Sequence, residues 1–124
     1  MSPSTALRRL KRLRDTGVIT SEVAILDPRK VGRPLLMIVG VRLERDDASV
    51  VGNFLDRIRA DPAVMQCYFV TGSADYILHI SARDMDEFNE LMQDLLVSNP
   101  HVSMSETSVV MKSIKVGLTL PILD

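Results

Sequence analysis

Apolar positions along this chain follow two different periods. Between residues 2 and 16 they fall at Ala6, Leu7, Leu10 and Leu13, a narrow helical stripe set among Arg8, Arg9, Lys11, Arg12 and Arg14. Ser2 is placed to cap this helix, and Pro3 fits its first turn, where a missing N–H costs nothing. Gly17 is placed to end it. Val18 to Leu26 alternates imperfectly and predicts a short extended stretch. Asp27-Pro28 then opens a turn, and Gly32-Arg33-Pro34 closes the connecting segment.

From Leu35 the pattern becomes regular. Leu35 to Leu43 is a nearly continuous apolar run and predicts a buried strand. Asp46 or Asp47 can cap a following helix with Val50, Val51, Phe54, Leu55 and Ile58 on its inner face, stopped by Asp61-Pro62. Val64 to Val70 and Asp75 to Ala82 read as paired strands around a tight loop. Asp84 and Glu87 resemble a capping box ahead of a helix with Met85, Phe88, Leu91, Met92, Leu95 and Leu96 inward. Asn99-Pro100 ends it. Val102 to Val116 reads as a long extended segment and Leu118 to Leu123 as a short terminal one. The order β-α-β-β-α-β predicts an α+β, ferredoxin-like fold with both helices on one face of a four-stranded antiparallel sheet. The central strands are apolar on both sides. The face without helices therefore needs a cover, most simply a second copy of the same sheet, or else the segment ahead of Leu35.

Composition narrows the class. The 124 residues suit one compact domain with a short appendage, and 46% apolar content is enough for a core. With 4% aromatics and no Trp, that core falls to Val, Ile, Leu and Met. No apolar run approaches the about 18 residues of a membrane span, and arginines interrupt the first apolar residues, unlike a signal peptide. Cys67 is the only cysteine, so a reducing, cytoplasmic setting is expected. The net charge of −1 hides a split. Residues 1–33 carry eight Lys/Arg and three Asp/Glu (+5), and residues 34–124 carry seven and thirteen (−6). A basic arm on an acidic body fits either a partner polyanion or a solvated helix.

Candidate chemistry is sparse. His79, His101 and Cys67 have no ligand spacing, no phosphate loop occurs, and Asp84, Asp86 and Glu87 serve a helix start. No metal, cofactor or enzyme activity is expected. Two features remain. On the first helix, Ser4, Thr5, Arg8, Arg9 and Arg12 lie near the start and along the polar side, where hydroxyls and arginines can meet phosphates and guanine edges. In the loop Val70 to Tyr76, Gly72 permits positive φ, its amides with Ser73 can hold a carboxylate, and Asp75 can take an ammonium group. The same loop also reads as an ordinary hairpin turn.

Four segments, in order, resemble the Lrp/AsnC (feast/famine) regulators. SPSTALRRLKRLRDTGVI at 2–19 is similar to the recognition helix and following turn, and LDPRKVGRPL at 26–35 to the linker. CYFVTGSADYILHI at 67–80 is similar to the effector-domain hairpin, and TSVVMKSIKVGLTLPIL at 107–123 to the last strands. The resemblance implies an amino-acid-responsive transcription regulator. Residues 1–33 would be a helix-turn-helix remnant with linker, and 34–124 an ACT-like, RAM-type βαββαβ domain that binds effector and oligomerises. It implies DNA, a small effector and a homodimer, assembling to an octamer, as partners. It points to Gly72, Ser73, Asp75 and Tyr76 for the effector, with Thr107 on the late strand. Ser73-Ala74 stands where many members carry a more polar or acidic pair. Only the last helix of the helix-turn-helix is matched, so a shortened or truncated member is expected. The alternative is a stand-alone oligomeric sensor that does not bind DNA specifically.

Overall fold

The computed structural model describes residues 1–44 and 47–122. Helix α1 spans Pro3–Asp15. Ser2 Oγ accepts the Thr5 N–H at 3.2 Å, and Gly17, at φ +79°, turns the chain out of the helix as the sequence predicts. α1 buries none of its side chains: Leu7 is 66% exposed and Leu13 41%. Residues 18–26 are exposed apart from the partly buried Ile19, and they join no strand ladder.

The remainder is the expected βαββαβ series: β1 (Leu35–Leu43), α2 (Ala48–Ala60), β2 (Val64–Phe69), β3 (Tyr76–Ala82), α3 (Met85–Met92) and β4 (Val102–Val109). α3 continues into a π-helical turn over Gln93–Val97, closed by the Ser98 N–H on the Gln93 carbonyl at 3.0 Å. Caps start both helices of the domain. Asp47 accepts the Val50 N–H at 2.9 Å, and Asp84 the Glu87 N–H at 2.8 Å. Asp46, the other candidate cap for α2, lies outside the described residues. The Glu87 carboxylate does not close a capping box and turns instead to Arg33. α2 stops at Asp61, whose extended backbone is what a following proline favours.

The sheet order is β2-β3-β1-β4, and every neighbouring pair is antiparallel. One face carries the core. Met37, Val39 and Val41 of β1 and Tyr76, Leu78 and Ile80 of β3 meet Val50, Phe54 and Ile58 of α2 and Phe88, Leu91, Leu95 and Leu96 from α3 onward. Strict alternation along β3 places Ile77 and His79 on the other face. There they join Leu36 and Ile38, all partly exposed, and Tyr68, whose ring meets the His79 ring edge-on at 5.9 Å. Most of the segment ahead of Leu35 is exposed and makes no ladder with this face.

Two β-bulges shift the phase of the outer strands. Val64 pairs with Ile80 and Gln66 with His79, so Met65 is an extra residue in β2. Beyond it Cys67 turns to the helix side, where burial pushes its thiol pKa up. Likewise Arg42 pairs with Met104 and Leu43 with Val102, leaving Ser103 extra in β4. After Val109 the Val110 N–H reaches the Leu36 carbonyl at 2.9 Å. From there to residue 122 the chain is exposed and unpaired, so the late strands expected up to Val116 and from Leu118 do not form within one chain. Leu123 lies outside the described residues.

Candidate functional site

The loop between β2 and β3 is built by backbone hydrogen bonds and one carboxylate. The Val70 N–H donates to the Asp75 carbonyl at 2.9 Å, closing the loop, and the Asp75 N–H donates to the Val41 carbonyl at 2.9 Å. The Leu43 N–H then donates to Asp75 Oδ2 at 3.1 Å. Asp75 thus ties the loop to the end of β1. Gly72 takes φ +125°, a conformation L side chains rarely adopt. Ala74 is buried over Gly40: a Cβ built on Gly40 would lie 3.3 Å from that of Ala74. Small residues on both sides let the loop lie flat on the sheet.

Beside this loop is a cavity of about 400 Å³ lined by Arg42, Leu43, Glu44, Val51, Phe69, Asp75 and Tyr76. Its lining combines apolar side chains with one cation and two carboxylates. Phe69 is 78% exposed at the rim, and its ring lies 5.3 Å from that of Tyr76, which in turn lies 5.3 Å from Phe54. Burial, then the nearby Asp75 charge, hold the Tyr76 phenol above its ordinary pKa, so it is neutral and a hydrogen-bond donor at physiological pH. A cavity of this size falls in the range of small-molecule sites.

Of the five residues expected to bind effector, the structure brings Asp75 and Tyr76 to this cavity. Gly72 and Ser73 are exposed in the loop and do not line it. Thr107 is exposed on β4 opposite Val39, with β1 between it and β3, and does not line it either. Sequence reasoning missed Arg42 and Glu44. They flank the end of an apolar strand, and only the antiparallel pairing of β1 with β3 brings them to a loop some 30 residues away. The signal available was the charged pair around Leu43 at a strand end.

The expected DNA-facing residues share α1. Thr5, Arg8, Arg9 and Arg12 recur at helical spacing along one side, with Ser4 beside them. Ser2 Oγ donates to the Thr5 hydroxyl at 2.8 Å, so that hydroxyl takes part in the cap. Lys11 pairs with Asp15 at 3.3 Å, and Arg14 with Glu22. Arg8, Arg9 and Arg12 form no ion pair among the described residues. No three metal-ligating side chains cluster among those residues, and no helix of the structure is long and apolar enough to cross a membrane.

Sheet and helices define the class: a ferredoxin-like βαββαβ domain with a basic helix ahead of it. The chain belongs to the Lrp/AsnC family, since the family model described as the Lrp/AsnC ligand binding domain matches residues 36–120. It is 44% identical over 122 residues to an HTH-type transcriptional regulator of Sinorhizobium fredii, covering 98% of this chain and 72% of that one. It is 36% identical over 115 residues to the leucine-responsive regulatory protein of Haemophilus influenzae, covering 93% and 69%. Among solved structures it is similar to a transcriptional regulator of Neisseria meningitidis in complex with L-Met. There the TM-score is 0.90 and the identity 35%, over 98% of this chain and 78% of that one. These relatives are transcriptional regulators.

Proposed function

We propose that this protein is an amino-acid-responsive transcriptional regulator. Residues 34–124 form the effector-binding and oligomerisation domain, and residues 1–33 form the DNA-reading helix and its linker. The observation that carries the reading is the cavity beside Asp75. Arg42 stands ready for a carboxylate, Asp75 and Glu44 for an ammonium group, and Phe69, Tyr76, Val51 and Leu43 for an apolar side chain. Gly72 and Ser73, exposed on the same loop, contribute by closing over a bound effector, and Thr107 from a neighbouring copy. The L-Met held by the Neisseria relative supports this ligand class.

Self-association follows from the surfaces left open. The sheet face with Leu36, Ile38, Ile77 and Tyr68 has no cover among the described residues. In the C-terminal arm, Ile114, Val116, Leu118, Leu120 and Ile122 alternate strictly and are 69–90% exposed. Burying such side chains contributes about 1.5–3 kcal/mol each, so a second copy is the natural cover, with an octamer built of four dimers as the final assembly. Such a regulator works in the cytoplasm, where DNA and free amino acids meet.

The test is calorimetry of the intact chain against the common amino acids. Binding by at least one, weakened by Asp75→Asn, is expected; no binding by any would remove the sensing role. A second reading, an oligomeric sensor that does not read DNA specifically, is favoured by the uncovered Leu7 and Leu13 on α1. Salt-dependent, sequence-specific gel shifts by this chain would remove that second reading.

A further inference from the structure

Among the described residues, every hydrogen bond and ion pair joining residues 1–33 to the sheet domain runs through one side chain, Arg33. Its Nε donates to Ser81 Oγ at 3.1 Å. One terminal nitrogen donates to the Ser81 carbonyl at 2.7 Å and to Glu87 Oε1 at 2.6 Å. The other oxygen of Glu87 faces Arg83 at 3.5 Å. The guanidinium lies in an acidic groove that also includes Asp61, Glu90 and Asp94. Arg33 and Glu87 are each only partly exposed, at 35% and 22%, so their pairing is less screened than the pairs on α1.

The backbone ahead of Arg33 is shaped to deliver it. Asp27 Oδ1 accepts the Arg29 N–H at 3.0 Å, and the Asp27 carbonyl accepts those of Lys30 and Val31 at 3.1 and 3.3 Å. The Arg33 N–H closes the turn on the Pro28 carbonyl at 2.8 Å, and Gly32, at φ +76°, reverses the chain. Pro34 then fixes φ at the entry to β1. Upstream of this turn, residues 18–26 make no hydrogen bond or ion pair with the domain among the described residues. Ser81 sits near the end of β3, and Tyr76 of the cavity opens the same strand, about 17 Å away at strand rise.

We propose that Arg33 is the positioning residue that anchors the root of the linker, fixing the direction in which the chain bearing α1 leaves the effector domain. The significance of that direction rests on reading α1 as the DNA-facing helix; the anchor itself does not. A planar fork suits this site, because Arg33 donates from two separate nitrogens to Ser81 and Glu87, whereas an ammonium donates from a single point.

Hydrogen–deuterium exchange on the full chain, without DNA or amino acid, tests the anchor separately from the sensing role. Arg33→Gln should speed exchange of the Lys30–Arg33 amides by about tenfold or more, the worth of one charge-assisted hydrogen bond. Amides in β1, β3 and α3 should keep their wild-type rates. Arg33→Lys should fall between, and the exchanged pair Arg33→Glu with Glu87→Arg should restore part of the protection lost in either single variant. Unchanged exchange at residues 30–33 in Arg33→Gln would overturn the proposal. So would equal acceleration throughout the domain, which would make Arg33 an ordinary stabiliser of the fold.

Discussion

Under the proposed function Asp75 holds two jobs that substitution can separate. Its carboxylate accepts the Leu43 N–H at 3.1 Å, and the residue also lines the cavity. Asp75→Ala removes the acceptor and leaves a partly buried N–H without one, a loss of about 1–2 kcal/mol. For a domain of this size that lowers Tm by about 5–10 °C. Asp75→Asn keeps an acceptor in the same place and loses only the charge, so its melting point should lie within about 4 °C of the parent, under 1 kcal/mol. Ligand binding should not divide the two variants. Losing the charge opposite an ammonium group weakens binding by about 1.5–3 kcal/mol, roughly 10- to 100-fold, in both. Differential scanning calorimetry and isothermal titration on the same preparations read the two quantities. An alanine variant that melts with the parent would refute the structural job. An asparagine variant that binds its amino acid with parental affinity would refute the electrostatic one.

Three further outcomes follow from features of the sheet. Ile38→Glu places a charge on the helix-free face and should shift sedimentation toward smaller species while far-UV circular dichroism is unchanged; an unaltered assembly would move the interface elsewhere. Gly40→Ala presses a methyl to 3.3 Å from Ala74 and should destabilise by about 1–3 kcal/mol in urea melts, with Ala74→Gly in the same chain restoring most of it. Burial raises the pKa values of both Cys67 and Tyr76 above 9.0 and 10.0, so the folded chain retains protons that the unfolded chain releases. Stability should therefore be full below about pH 9 and fall as pH rises through that range and beyond, with Tyr76→Phe removing part of the slope. A flat profile to about pH 11 would contradict it.

The βαββαβ order was legible because each signal in it is local. Ser2, Asp47 and Asp84 cap where short polar side chains precede apolar periodicity, and Asp61-Pro62 stops a helix by backbone sterics alone. The candidate cavity was only half legible. Gly72 and Asp75 stand out in one loop, whereas Arg42 and Glu44 reach it through a pairing between distant strands. The C-terminal arm shows the converse limit. Alternation from Ile114 to Ile122 predicts a strand, yet none forms there, because alternation alone does not supply a neighbouring strand. The phase of β2 was hidden too, since one inserted residue moves Cys67 and Phe69 to the opposite side from the one even alternation assigns.

Both bulges lie on the strands that border the sheet, Met65 in β2 and Ser103 in β4. A straight border strand is a template: its unpaired amides and carbonyls accept another chain, which presents the same border to the next. Growth of that kind has no natural end and leads to fibres. The extra residue on each border bends the backbone and breaks the spacing such a copy would have to match. The molecule therefore discourages open-ended stacking along its rims, and under the proposed self-association the flat of the sheet is left for a contact that closes on itself. Deleting Met65 would keep every remaining β2 partner in register, so the variant should fold. The property at risk is solubility at high concentration and over long storage.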